Sequence, residues 1–228
     1  MRQIILDTET TGLRTEDGHR IIEIGCVEMI NRRLTGRHYH QYINPQRAVE
    51  KEAMAVHGIT NEFLQDKPLF ATLAVELMEF ISGAELIIHN APFDLGFLNY
   101  ELMLTRGQWK QMTHYCEVVD TLVVARQLFP GQRNSLDALC KRYGIDNTKR
   151  ELHGALLDAN LLAQVYLLMT GGQGSFFDVL NETQTQTVQN AQAAQNITVQ
   201  KPNLVVLQAT AEEMLEHEAY MKLLEAQT

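Results

Sequence analysis

Two acidic residues at the end of an apolar run are the first candidates for chemistry in this chain. Asp7 and Glu9 follow Ile4–Leu6, and a Thr-Thr-Gly sequence comes next. The apolar run predicts a buried strand, along which side chains alternate, so both carboxylates are expected on one face. Adjacent carboxylates repel each other and are costly to desolvate, which indicates a bound Mg²⁺ or Mn²⁺. Two solvated acids at an exposed strand end are the alternative for this segment alone.

Two further acids and a histidine occur later in the chain. Asp94 follows the predicted strand Glu85–His89 at a helix start, where a lone Asp usually complements the helix dipole. Asp158 lies within the apolar segment Ala155–Leu162, where an unpaired acid would be expensive to bury. His153 is five positions earlier, which is roughly 140° away on a helix. The two side chains therefore converge only if His153 lies before the helix or in its first turn.

Taken together, these residues indicate hydrolysis by in-line phosphoryl displacement. The four carboxylates of Asp7, Glu9, Asp94 and Asp158 are sufficient to hold two divalent ions about 3.5–4 Å apart, an arrangement that promotes in-line displacement at phosphorus. His153 is suited to accept the proton of the attacking water, because the pKa of histidine lies near neutral pH.

The elements that must position these residues follow from hydrophobic periodicity. Short strands come first and then alternate with helices, which predicts an α/β fold with a mixed sheet and helices packed on its faces. After the opening strand, we expect strands at 21–30, 38–43, 85–89 and 115–119. Helices are expected at 49–56, 61–65, 69–81, 90–104, 120–128, 136–143 and 154–169, with Asn61 and Ser135 as caps.

Composition excludes several classes of protein. The formal net charge is −9, which argues against a protein that coats nucleic acid through a broad basic surface. The three cysteines are far apart in sequence and form no CxxC pair, so neither a zinc site nor a disulfide framework is indicated. No signal peptide and no apolar run of about 20 residues is visible, so we expect a soluble intracellular protein with no membrane association.

The C-terminal part of the chain has a different composition. Residues 181–200 are rich in Gln, Thr, Asn and Ala and contain one acid and no Lys or Arg, which predicts a flexible linker over 178–202. Residues 203–228 contain a short apolar run and a Glu-rich segment with apolar side chains on one helical side. They predict a partner-binding segment, and a weakly helical, disordered tail is the alternative.

The order of the four acids and the histidine along the chain resembles the motif of the DEDDh family of 3′–5′ exonucleases. Members of this family have a ribonuclease H-like fold. The match covers residues 1–172, includes a histidine-glycine loop at Val56–Thr60, and departs from the pattern at none of the five key positions. The resemblance implies that Asp7, Glu9 and Asp158 bind metal directly and Asp94 binds a second ion. It also implies that His153 is the general base.

The same resemblance implies contacts to the 3′-terminal nucleotides of DNA. The expected substrate-binding residues combine metal ligands with three further side chains: Asp7, Glu9, Asp158, His57, Asn90 and Phe93.

Several segments are similar, more narrowly, to the proofreading exonucleases of bacterial replicative DNA polymerases: Asp7–Gly12, Ile21–Gly25, Asn31–Gly36, His89–Asp94, Arg133–Cys140 and Leu152–Asp158. This similarity implies that 203–228 docks on the catalytic α subunit of the polymerase, in the bacterial cytosol at the replication fork. A small θ-like accessory subunit is a further expected partner.

Residues 173–177 are similar to the Gln-x-Ser/Asp-Leu-Phe motif that binds the sliding clamp, through Gln173, Ser175, Phe176 and Phe177. The alternative is that the two aromatic side chains fold back on the exonuclease domain.

Two other functions remain open at this point. An RNA-processing 3′–5′ exonuclease would use the same active-site chemistry, although it would not need the linker and tail. A non-catalytic assembly subunit would need the linker and tail, although it would leave the four acids and the histidine unexplained.

Overall fold

The computed structural model describes residues 1–107, 109–148, 150 and 152–171. The three C-terminal segments that the sequence analysis distinguished, 173–177, 178–202 and 203–228, lie outside the described residues. No helix within the described part is long and apolar enough to cross a membrane.

A mixed five-stranded sheet forms the centre of the described chain, as the sequence predicted. Its spatial order is β3-β2-β1-β4-β5, in which β1, β2 and β3 pair antiparallel and β4 and β5 continue from β1 in parallel. The strands are β1 (Arg2–Thr10), β2 (Ile21–Ile30), β3 (Arg33–Tyr42), β4 (Glu85–Ile88) and β5 (Glu117–Asp120).

The third strand begins five residues earlier than expected. Asn31 and Arg32 both have positive φ and form a two-residue hairpin turn, so pairing resumes at once between Ile30 and Arg33.

The helices lie on both faces of the sheet and match the expected segments within about two residues. They are α1 (Lys51–His57), α2 (Asn61–Leu64), α3 (Phe70–Ile81), α4 (Ala91–Leu104), α5 (Thr121–Leu128), α6 (Leu136–Tyr143) and α7 (Ala155–Thr170). Ser135 caps its helix as expected. The prediction for Asn61 was wrong, because Thr60 is the cap of α2 and the Asn61 side chain accepts a hydrogen bond from the Val49 N–H instead.

The central strand β1 contributes alternate side chains to two separate cores. Ile4 and Leu6 pack with α3 and α4 on one face of the sheet. Ile5 packs with α6 and α7 on the other face. Alternation places Asp7 and Glu9 on the face of Ile5 and Thr8 on the opposite face. The two carboxylates therefore share the face covered by α7, as the sequence predicted.

Gly25 controls how closely α7 approaches the two carboxylates. It lies opposite Asp7 in the β1–β2 pairing, and a Cβ atom at this position would collide with the backbone of Ala155 and Leu156. Only glycine lets the first turn of α7 lie directly on the sheet beside Asp7.

Gly25→Ala is therefore expected to lower the free energy of unfolding by about 2–3 kcal/mol, which corresponds to roughly 4–12 °C in Tm. Thermal unfolding followed by circular dichroism measures the change. Gly96→Ala is the matched control, because a Cβ at this helical position meets nothing within 4 Å and Ala favours a helix. Equal Tm values for Gly25→Ala and the wild type would show that α7 does not depend on this contact.

Candidate active site

The start of α7 brings His153 and Asp158 to the end of β1. Gly154 is the N-cap of the helix, so His153 precedes it, as the spacing of the two residues required. The backbone N–H of His153 donates a 3.0 Å hydrogen bond to the Val56 carbonyl, which fixes the loop. Nδ1 of His153 consequently lies 3.5 Å from Oδ2 of Asp158.

Asp94 reaches the site from the other face of the sheet. It is in the first turn of α4, directly after β4. The Thr8 hydroxyl donates a 2.7 Å hydrogen bond to Oδ1 of Asp94, and both side chains are buried. Thr8 therefore orients Asp94 at the end of β1, next to Asp7, whose charge interacts most strongly with that of Asp94.

The electrostatics of this cluster are those of a site that needs a cation. Burial raises the pKa of Asp7 well above its ordinary value, and the charges of Asp94, Glu9 and Asp158 raise it further. Burial is also the main cause that raises the pKa of Glu9 to about 8 and the pKa of Asp94 to about 7. Glu9 and Asp94 therefore retain protons to near neutral pH unless positive charge is supplied.

The donor set fits a divalent ion. Glu9, His153 and Asp158 each offer a ligand atom, and these atoms lie within 4.8 Å of one another. Asp7 and Asp94 stand outside this group but border the same pocket. The sequence assigned His153 to proton transfer alone, whereas the structure also places it among the potential ligand atoms.

Arg150 is the residue of the site that the sequence analysis missed. Its Nε and Nη2 atoms each lie 2.5 Å from an oxygen of Asp158. Nη2 also lies 3.0 Å from Nδ1 of His153, and Nη1 lies 2.6 Å from Oδ1 of Asp137. A signal was present in the sequence: an arginine three positions before His153, beside acids that need a cation.

A pocket of about 650 Å³ opens over these residues. Asn90 and Phe93, two of the predicted substrate contacts, line it. Asn90 has a φ of +66°, a conformation that is uncommon for a non-glycine residue and occurs often at functional sites. Its backbone N–H donates to Oδ1 of Asp120, which also caps α5, so the turn between β4 and α4 is held in place.

His57, the third predicted substrate contact, is not among the residues that line this pocket. It is only 5% exposed, and its Nδ1 accepts a 3.0 Å hydrogen bond from the Ile59 N–H. Its Nε2 has no hydrogen-bond partner of good geometry within the described residues, although the Thr10 backbone lies nearby. Burial lowers the pKa of His57, so the ring is neutral at physiological pH.

Comparisons with known proteins agree with this geometry. Residues 4–166 match the family model described as exonuclease. The chain is 54% identical to the DNA polymerase III subunit epsilon of Escherichia coli K12, over 98% of this chain and 93% of that protein. It is 51% identical to the same subunit of Rickettsia typhi, over 97% of this chain and 96% of that protein.

Solved structures show the same fold. A structure of exonuclease X in complex with 5′-overhanging duplex DNA is 28% identical, has a TM-score of 0.59, and is matched over 75% of this chain and 93% of that one. Exonuclease I of E. coli in complex with a dA16 oligonucleotide has a TM-score of 0.65 at 18% identity, over 79% of this chain and 43% of that one, which shows likeness of fold alone. The chain therefore belongs to the exonuclease family and, within it, to the DNA polymerase III epsilon subunits, which are metal-dependent 3′–5′ proofreading exonucleases.

Proposed function

We propose that this site removes mismatched 3′-terminal nucleotides from DNA as 5′-monophosphates, with two Mg²⁺ or Mn²⁺ ions as cofactors. The observation that carries the proposal is the convergence of Asp7, Glu9 and Asp94, whose carboxyls are buried and have raised pKa values, with Asp158 and His153. Burying several carboxylates side by side costs folding free energy, and the fold itself does not require it. Two-metal catalysis at a phosphodiester does require such a cluster.

Each acid has a distinct place in the proposed site. Asp7, Glu9 and Asp158 hold the first ion, and Asp94, oriented by Thr8, contributes to the second. When bound, the ions lower the pKa of the attacking water and neutralise charge on the leaving oxygen.

His153 accepts the proton from the attacking water. Burial lowers the pKa of His153, which favours the neutral ring at physiological pH. Only a neutral imidazole has a nitrogen that is free to accept a proton.

The pocket favours an unpaired end. Phe93 offers a face on which a base stacks, and Asn90 offers a polar group beside it. A terminal base enters such a pocket only after it leaves the duplex, and a mismatched base does so at the lowest cost. His57 is proposed as a further contact, since its buried Nε2 has no partner of good geometry in the part of the chain that the structure describes.

Assembly with the replication machinery is also part of the proposal. The relatives are named as a subunit of DNA polymerase III, and we place this chain with the catalytic α subunit through 203–228. The sliding clamp is proposed to bind 173–177, and a θ-like subunit is a further partner. The location that follows is the bacterial cytosol at the replication fork. The 178–202 linker then acts as a tether that raises the effective concentration of the exonuclease at the primer end.

The deciding experiment compares two substrates with the full-length protein. Release of single nucleotides is followed on a 3′-mismatched DNA primer and on an RNA strand of the same sequence, with Mg²⁺ and with EDTA. Metal-dependent cleavage of DNA, with RNA cut poorly, supports proofreading. Efficient cleavage of RNA alone would replace the proposal with RNA processing, and absence of metal-dependent cleavage of either would favour a purely structural role in assembly.

A further inference from the structure

Arg150 is a cation that contacts Asp158, one of the proposed metal ligands. Its guanidinium bonds to both oxygens of Asp158, with Nε and Nη2 each at 2.5 Å. The side chain is 5% exposed, and that of Asp158 is 4% exposed. This is the parallel two-bond geometry that makes arginine a strong partner of carboxylates.

The same guanidinium also engages the proposed general base. Nη2 lies 3.0 Å from Nδ1 of His153, and because a guanidinium only donates, Nδ1 must be the acceptor. The lone pair of Nδ1 is therefore used by Arg150 and is not free to take a proton from water. One side chain thus engages both Asp158 and His153.

Arg150 supplies positive charge to the buried acids. It is the group whose charge opposes the rise in the pKa of Asp7 and of Glu9. A divalent ion on Asp158 would have to share that carboxylate with the guanidinium and would be repelled by it at short range. Binding of both to the same oxygens is therefore unfavourable.

We propose that Arg150 is an exchangeable counter-ion that competes with a divalent ion for Asp158 and must release Asp158 and His153 before the site is competent. The proposal rests on the metal site given under the proposed function. Asp137 provides the anchor during this exchange, because its Oδ1 accepts from Nη1 at 2.6 Å and its side chain is 57% exposed at the pocket rim. Arg150 thus turns about a retained contact rather than leaving the pocket.

The first test measures Mn²⁺ affinity without DNA, by calorimetry, for the wild type, Arg150→Gln and Arg126→Gln. Arg126 is the matched control, because it lines the same pocket but is exposed and makes no ion pair with a carboxylate among the described residues. Arg150→Gln is expected to bind Mn²⁺ about tenfold more tightly or better, since the competing cation is gone. Arg126→Gln is expected to stay within about twofold of the wild type, since an exposed charge is screened.

The metal-free stability of the same proteins is expected to change in the opposite direction. Arg150→Gln leaves Asp158 buried without its partner, so Tm in EDTA is expected to fall by about 5 °C or more. Arg126→Gln is expected to leave Tm nearly unchanged. Unchanged or weaker Mn²⁺ binding by Arg150→Gln would overturn the proposal, as would an equal gain in Arg126→Gln.

The second test makes its measurement on the wild-type protein. The Nε–H resonance of Arg150 is followed by ¹H–¹⁵N NMR in the wild type during titration with Mg²⁺ and assigned with Arg150→Lys, which lacks the group. Loss of the hydrogen-bonded, exchange-protected signal on saturation supports release. A signal that keeps its shift and protection with Mg²⁺ bound would overturn it. Because neither test uses DNA cleavage, metal binding without exchange would contradict this inference and leave the proposed exonuclease reaction intact, whereas a wild type that binds no metal would contradict both.

Discussion

Asp7→Asn is expected to reduce 3′-terminal nucleotide release by about a thousandfold or more. The carboxylate of Asp7 lies among Asp94, Glu9 and Asp158, where a divalent ion is proposed to bind, and an amide neither balances that charge nor binds the metal well. A loss of about 4 kcal/mol of transition-state stabilisation gives this factor. Single-turnover cleavage of a mismatched primer at saturating Mg²⁺ measures the rate.

The same substitution is expected to stabilise the metal-free protein. The folded-state pKa of Asp7 is raised above its ordinary value, as are those of Glu9 (about 8) and Asp94 (about 7). The folded protein therefore binds more protons than the unfolded chain between about pH 4.5 and pH 8, and its stability falls as pH rises through this range. The slope is at most about 1.4 kcal/mol per pH unit for each carboxyl.

Urea denaturation in EDTA between pH 5 and pH 8.5 tests this expectation. The wild type is expected to lose stability with rising pH, and Asp7→Asn is expected to lose less and to be the more stable protein at pH 8. Saturating Mg²⁺ should reverse the order, since it binds the wild-type carboxylates. Glu16→Gln is the control, because the Glu16 side chain is 70% exposed and its charge is solvated in the folded protein. Lower metal-free stability of Asp7→Asn at pH 8 would contradict the account.

His153→Gln is expected to reduce the cleavage rate by about a hundredfold to ten-thousandfold, the usual contribution of a general base. Glutamine keeps a polar side chain of similar size but has no group that accepts a proton near neutral pH. The cleavage rate of His153→Gln should rise about tenfold per pH unit, because hydroxide replaces the missing base. The wild-type rate should instead level off above the lowered pKa of His153.

Metal affinity distinguishes the two roles that the geometry permits for His153. Its ligand atom lies within 4.8 Å of those of Glu9 and Asp158, so it is positioned for metal binding as well as for proton transfer. A general base predicts that His153→Gln binds Mn²⁺ about as well as the wild type. Weakening of Mn²⁺ binding by tenfold or more, with no pH-dependent recovery of rate, would instead make His153 a ligand.

Local sequence was sufficient to predict the fold and the local placement of several candidate site residues. The apolar run before Asp7 and the strict alternation of a strand placed Asp7 and Glu9 on one face, because these rules act within a few residues. The five-residue spacing of His153 and Asp158 required a helix start between them, and Gly154 provides it. Polar patterning was less informative in β3, whose first half is exposed, so its start was misjudged.

Contacts between distant segments were decided only by tertiary structure. Nothing near Thr8 in sequence indicates that its hydroxyl orients Asp94, 86 positions away. Likewise, the sequence around Gly25 indicates only a strand residue. The need for glycine there becomes visible only from the position of α7 against it.

Arg150 shows the physical reason most clearly. Composition and spacing established that the buried acids need a positive charge, because the cost of burying like charges does not depend on the fold. Which side chain supplies that charge to Asp158 depends on burial and on the approach of the loop before α7, together with Asp137 on α6. Residue types thus determined what the site requires, and packing determined which group supplies it.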